Sequence, residues 1–146
     1  MDKLTTTFQL ALQEAQSMAI GRDHQFIEPV HLMTAMLVPK NGAVSALYRQ
    51  AGANVNELDK QCQQMMERLP RVSGTSGEVH ISNSLNNLVN ISDKLAQQHG
   101  DEYIASEMYA VAALEDKGEL GKLLNQLGLS QKVLLTTLDK MRAGEK

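Results

Sequence analysis

Apolar side chains recur along this chain at helical spacing. Phe8, Ala11, Leu12, Ala15, Met18 and Ala19 form one stripe, with Thr5 placed to cap it three residues ahead of Phe8. Val55, Leu58, Cys62, Met65, Met66 and Leu69 form a second. A third runs through Leu85, Leu88, Val89, Ser92, Leu95 and Ala96, and a fourth through Leu120, Leu123, Leu124 and Leu127. Two shorter stretches, residues 30–38 and 108–114, are apolar on nearly every side, the pattern of a helix buried all round. Pro29 suits the first turn of the former, where its missing N–H costs little. No run of four or more residues alternates with period two between turn residues, so the pattern predicts an all-α chain.

The apolar positions also repeat over a longer distance. A shift of 77 carries Phe8 onto Leu85, Ala11 onto Leu88, Leu12 onto Val89, Phe26 onto Tyr103, Ile27 onto Ile104 and Leu37 onto Leu114. One residue is then lost, and a shift of 76 carries Val44 onto Leu120, Leu47 onto Leu123, Gly52 onto Gly128, Leu58 onto Leu134 and Cys62 onto Leu138. Core positions match while surface positions drift, as two copies of one fold require. Eight helices are predicted, over residues 5–20, 29–38, 43–51 and 54–69, then 82–98, 106–115, 119–127 and 130–142. Gly52 and Gly128 fall where a helix end needs a left-handed residue. The chain of 146 residues thus reads as one domain of two pseudo-twofold related four-helix repeats. Repeat 1 spans about residues 5–71 and repeat 2 about 82–143. The linker, 72–81, carries the small, polar run Ser73-Gly74-Thr75-Ser76-Gly77.

Composition narrows the functional classes. The aromatics are only Phe8, Phe26, Tyr48, Tyr103 and Tyr109, too few for a stacking platform on single-stranded nucleic acid. The net charge of −3 also lacks a nucleic-acid footprint. The acid excess lies in residues 73–146, with ten acidic against seven basic side chains, while residues 1–72 balance at seven each. The single Cys62 allows neither an internal disulfide nor a four-ligand zinc site. The polar residues Thr5, Thr6, Thr7, Gln9 and Gln13 break any leader-type apolar run. The longest mainly apolar run, 108–114, is far short of the roughly 20 residues that span a bilayer. The expectation is a reducing, cytoplasmic setting without nucleic acid or membrane as partner.

Few residues suggest chemistry. Asp23, His24, Glu28 and His31 are the tempting metal set, but neither an i, i+4 histidine pair nor H-E-x-x-H is present, so the histidines read as internal and structural. Asp101, Glu102 and Glu107, with Glu115, Asp116 and Glu119 beyond, read as a solvated acidic face favoured at helix starts, or as the polar rim of a binding surface. There is no G-x-x-x-x-G-K-[ST] to cradle phosphate. No catalytic residues, cofactor or metal are therefore expected in this chain. Most of the eight methionines sit on core stripes, although the flexible thioether also suits surfaces that accept varied apolar partners. Leu10, Ile20, Ile91 and Leu135 lie off the stripes and are candidates for an exposed apolar patch.

Several segments in fixed order resemble a known family: residues 8–12 (Phe-Gln-Leu-Ala-Leu), 25–33 (Gln-Phe-Ile-Glu-Pro-Val-His-Leu-Met), 68–72 (Arg-Leu-Pro-Arg-Val), 93–97 (Asp-Lys-Leu-Ala-Gln) and 100–104 (Gly-Asp-Glu-Tyr-Ile). Over essentially its whole length the chain resembles the double Clp repeat, the N-terminal domain of the Clp ring ATPase chaperones, and its disaggregase branch above all. The resemblance implies an all-α domain at the entrance of a bacterial homohexameric ring. It would itself be monomeric when isolated, and would bind apolar segments of unfolded or aggregated polypeptides alongside the DnaK chaperone system. ATP and Mg would belong to ATPase modules of the parent protein. The alternative implied is the adaptor- and substrate-docking N-domain of a protease-coupled Clp ATPase. By matching positions, the resemblance implies a substrate-binding set of Thr5, Asp101 and Glu107 as a polar cluster, with Leu95 and Met108 lining an adjacent apolar groove. The family's Glu-His-Leu appears as Val30-His31-Leu32 in the first copy and Glu107-Met108-Tyr109 in the second, so the binding face should be lopsided.

Overall fold

A computed structural model describes residues 3–73 and 78–144. Eight α-helices carry the described fold: α1 (Thr6–Gly21), α2 (Pro29–Leu37), α3 (Ala43–Gln50), α4 (Val55–Arg68), α5 (Asn83–Gln98), α6 (Ser106–Ala112), α7 (Glu119–Gln126) and α8 (Gln131–Gly144). Their starts follow from capping. Thr5 Oγ1 accepts the Phe8 N–H at 3.2 Å, Asn54 Oδ1 that of Glu57 at 3.0 Å, Ser82 Oγ that of Leu85 at 3.0 Å, and Ser130 Oγ that of Val133 at 3.2 Å. Each satisfies a first-turn donor that has no partner within the helix. Gly52 and Gly128 take φ of 98° and 83° just past α3 and α7, the left-handed region that closes a helix end without a Cβ clash.

Backbone hydrogen bonds recur at equivalent places in the two halves. Thr5 N donates to Ile104 O at 3.1 Å, and 77 residues on, Ser82 N donates to Ile27 O at 3.1 Å. Past α1, His24 N reaches Ala19 O at 2.9 Å; past α5, Asp101 N reaches Ala96 O at 2.8 Å. Asp23 (φ 59°) turns the chain left-handed at the first of these corners and Gly100 (φ 78°) at the second. Gly74 to Gly77, the centre of the sequence-predicted linker, lie outside the described residues.

Two small departures from the all-helical expectation occur. β1 (Phe26–Ile27) pairs in parallel with β2 (His80–Ile81), and Leu4 bridges Ile104 in the equivalent place. Two residues are too few to display alternation, so no sequence period could mark them. The sixth helix stops at Ala112, and Ala113–Glu115 tightens into a 3₁₀ turn closed by Asp116 N to Ala113 O at 3.1 Å. The repeat has lost its one residue here, and the shorter connection to α7 winds more tightly.

α2 is buried along its entire length and α6 nearly so. They form the centre of the core, with α1, α4 and α5 packed against them. Two tyrosine hydroxyls tie the halves together: Tyr48 donates to Ala110 O at 2.6 Å and Tyr109 to Pro29 O at 2.9 Å. Both side chains are fully buried, and the Tyr109 ring meets Phe8 edge-on at 6.1 Å. Met33, Met36, Met65, Met66 and Met108 are core residues, as their stripes predict. Among the described residues no helix is long and apolar enough to cross a membrane.

Candidate functional site: an apolar groove beside the first helix

Thr5, Asp101 and Glu107 lie around the junction of the two halves, and each is held by a structural bond or charge. Thr5 caps α1 while its backbone is tied to Ile104. Both carboxylate oxygens of Asp101 accept from Nη1 of Arg142, at 2.9 and 3.1 Å, which fastens the end of α8 to the corner after α5. Burial alone would lower the pKa of Arg142. Together the Asp101 hydrogen bond and the charges of Asp101, Glu107 and Asp139 outweigh it, and the net shift is upward. Nearby, His99 Nε2 meets Asp139 Oδ1 at 2.7 Å.

The apolar members of that set are buried in the free domain. Met108 is 0% exposed and Leu95 5% exposed. Both face inward because α5 and α6 pack tightly on each other, so neither presents a surface that a ligand could touch.

The open apolar surface lies elsewhere. A groove of about 430 Å³ runs between the outer face of α1, the C-terminal end of α2 and the start of α3. Leu10 and Val38, each 59% exposed, form its walls, with Ala11, Met36 and Val44 beneath them. The Val38-Pro39 corner defines its far end. There Gly42 N bonds to Pro39 O at 2.8 Å, and a Cβ on Gly42 would lie 3.0 Å from that same oxygen, so the close turn favours glycine. Ser106, from the opposite repeat, completes the lining. Leu10 was visible in sequence as an apolar residue off the core stripe. Val38 was not, because it continues the run that fills α2. Ile20, also off the stripe, is exposed but does not line this groove, while Ile91 and Leu135 are half-buried against the core.

A second groove of about 320 Å³ occupies the corresponding place in the other repeat. Thr7, Pro39, Gly42 and Val44 of the first groove correspond to Ser84, Asp116, Gly118 and Leu120 of the second, and Ser106 corresponds to Pro29. Its rim has become acidic, with Glu28, Asp116 and Glu119. Asp116 Oδ2 accepts the Gly121 N–H at 3.1 Å, and Glu119 pairs with Arg68 at 3.0 Å. The two grooves share one origin in the repeat and differ in polarity.

Residues 3–127 match the model of the Clp repeat (R) N-terminal domain. The chain belongs to the Clp N-terminal domain family. It is 45% identical, over all of its 146 residues, to the chaperone protein ClpB of Vibrio cholerae, of which it spans 17% of the length. Among solved structures the Hsp104 N-terminal domain from Candida albicans superposes with a TM-score of 0.81 at 18% identity, covering 96% of this chain and 91% of that one. A ClpV N-domain solved in complex with a VipB peptide superposes with a TM-score of 0.72 at 22% identity, covering 91% and 88%. These likenesses carry the Clp N-domain fold.

One further cluster in this Clp N-domain was read in sequence as a structural histidine pair. His24 Nδ1 and His31 Nε2 lie 2.8 Å apart, and Glu28 N donates to His31 Nδ1 at 2.8 Å. The amide donor fixes the tautomer: the His31 proton sits on Nε2 and is donated to His24 Nδ1. The proton of His24 then sits on Nε2. Burial, reinforced by His24 and Arg22, pushes the pKa of His31 down to about 4. That of His24 is lowered as well, by burial first and then by Arg22 and Arg71. Both rings are neutral at physiological pH, and among the described residues no group of three or more His, Cys, Asp or Glu side chains could hold a metal.

Proposed function

We propose that this domain binds clients for a ClpB-like, ATP-dependent protein disaggregase. Exposed apolar segments of unfolded or aggregated polypeptides enter the groove between α1 and α3. They pass from there to a hexameric ATPase ring that uses ATP and Mg in the rest of the parent protein, in cooperation with the DnaK system in a bacterial cytoplasm. The isolated domain acts as a monomer and carries no chemistry of its own. The observation that supports this reading is the open groove walled by Leu10 and Val38, two large apolar side chains held out to solvent on a rigid helical frame. Thr5, Asp101 and Glu107 serve the site by fixing the start of α1 and the end of α8. Leu95 and Met108 serve it through the packing of α5 against α6.

Energetics favour weak, reversible capture. Each apolar side chain seated in the groove contributes about 1.5–3 kcal/mol. Association costs at least about 4 kcal/mol in lost freedom. Two or three seated side chains gain roughly 3–9 kcal/mol before that cost and so leave at most about 5 kcal/mol, a dissociation constant of roughly a few tenths of a millimolar or weaker. A domain that hands its client onward needs rapid release of that kind. Fluorescence anisotropy with an unstructured apolar peptide tests the reading. The double variant Leu10→Asp/Val38→Asp should bind at least about tenfold more weakly while its urea midpoint stays within error, because both side chains are exposed. Unchanged affinity in that variant would refute the groove as the client site.

A further inference from the structure

Ser106 opens α6 at the edge of the client groove, with 4% of its surface exposed. Its Oγ has no hydrogen-bond partner. Buried hydroxyls are nearly always paired, because desolvation without compensation is costly. The other repeat shows what the position holds where no such group is needed. Its counterpart is Pro29, which has no side-chain donor and whose carbonyl already accepts from Tyr109. The orphan hydroxyl thus lies in the larger and more apolar of the two grooves.

We infer that the Ser106 hydroxyl is the polar anchor of the groove and bonds one main-chain amide of an extended polypeptide whose apolar side chains cover Leu10 and Val38. The inference rests on the reading of this groove as the client site and supplies its specificity. An extended chain carries an N–H and a C=O at every residue, and those pressed into an apolar groove must find partners. Thr7 and Glu14, the other lining side chains with polar groups, are exposed on α1. Ser106 is the buried one, and a hydroxyl both donates and accepts. Aiming it at an occupant costs a single rotor about the Cα–Cβ bond. The chemistry selects for unpaired backbone. A folded protein, whose main-chain groups are engaged in helices and sheets, offers no amide to the serine even where it exposes an apolar side chain.

The test combines Ser106→Ala and Ser106→Cys with a fluorescent ten-residue peptide of alternating Leu, Val and Ser, and with a set in which each peptide amide is replaced in turn by an ester. Anisotropy titration should show Ser106→Ala weakening the all-amide peptide by about fivefold to tenfold, the worth of one net hydrogen bond. Ser106→Cys, a poor donor of similar size, should fall between. The thermal midpoint of the free domain should hold or rise, since the substitution removes an unpaired group. One ester position should cost the wild type a comparable factor and cost Ser106→Ala nothing more. The proposal is overturned if Ser106→Ala binds the all-amide peptide as tightly as wild type, or if the ester scan is identical on both proteins. Leu10→Asp separates the two levels. If it abolishes binding while Ser106→Ala does not weaken it, the anchor alone fails; if it leaves binding intact, the groove fails and the anchor with it.

Discussion

The histidine chain makes the domain acid-sensitive in a defined window. Above about pH 6.5, the ordinary pKa of histidine, His31 is neutral both folded and unfolded and contributes no pH dependence. As pH falls below that value the unfolded chain takes up a proton, while the native chain, with His31 held down to about 4, does not. Stability therefore declines from about pH 6.5 downward and levels off below about pH 4. Holding His31 down to about 4 is worth about 3 kcal/mol in full, and about 2 kcal/mol is already lost at pH 5. His24 adds to the loss in the same direction, since its pKa is lowered too. The geometry explains the sign. Each ring accepts a hydrogen bond through the nitrogen that would have to be protonated, so a charge on either sets two donors face to face. Urea denaturation followed by circular dichroism at pH 7.5, 6.0 and 5.0 measures the slope before most carboxylates titrate. His31→Met, which installs the residue found at the matching position of the second repeat, should flatten that slope. Two results would sink the reasoning: a His31 ring that titrates near 6.5 by NMR, or a wild-type stability that is level between pH 7 and 5.

Other substitutions probe the frame around the groove. Met108→Ala should cost about 2–5 kcal/mol of stability, as a fully buried side chain leaving a cavity, with peptide affinity per folded molecule unchanged; calorimetry and anisotropy on one sample separate the two. Tyr109→Phe should cost about 1–3 kcal/mol in urea melts, because it strips the donor from the buried Pro29 carbonyl. Gly121→Ala should destabilise by about 1–3 kcal/mol or more, since the new Cβ would overlap the Asp116 carbonyl oxygen. Cys62, buried and with its thiol pushed up to about 12, should react with a thiol reagent no faster than the domain opens, so labelling in native buffer should track the unfolding rate.

What sequence could reveal followed the physics of each level. Helices and their duplication were legible because a core position admits only side chains of the right size, and Phe8 and Leu85, or Cys62 and Leu138, fill matched buried slots. The caps at Thr5 and Ser82 and the turns at Gly52 and Gly128 were legible because a short motif fixes each. The groove was not, because it is defined by what fails to cover it. Leu10 and Val38 share their residue types with core neighbours, and only the path of the Val38–Gly42 corner leaves them bare. Leu95 and Met108 are the opposite case. They carry the apolar character of a binding surface and sit where α5 and α6 seal against each other.

The divergence of the two halves gives their two grooves different chemistry. His31 and Met108 occupy the same buried position 77 residues apart, and His24, which is buried, corresponds to the half-buried Asp101 at the second corner. In the first half the pair became two neutral, hydrogen-bonded imidazoles; in the second the acid turned outward to the guanidinium of Arg142, leaving methionine to fill the core alone. The grooves diverged in parallel. The first kept an apolar lining and gained the unpaired Ser106, while the second lost one residue, drew Asp116 over Gly121 and acquired an acidic rim. Two equal apolar grooves would hold a long segment at both ends, and two attachments multiply into slow release. On the proposed client-binding reading, the acidic second groove would leave an apolar segment held at one end only, with escape as fast as a single weak site allows. That asymmetry would favour delivery over retention, and restoring apolar character with Asp116→Ala/Glu119→Ala should slow peptide dissociation for segments long enough to reach both grooves.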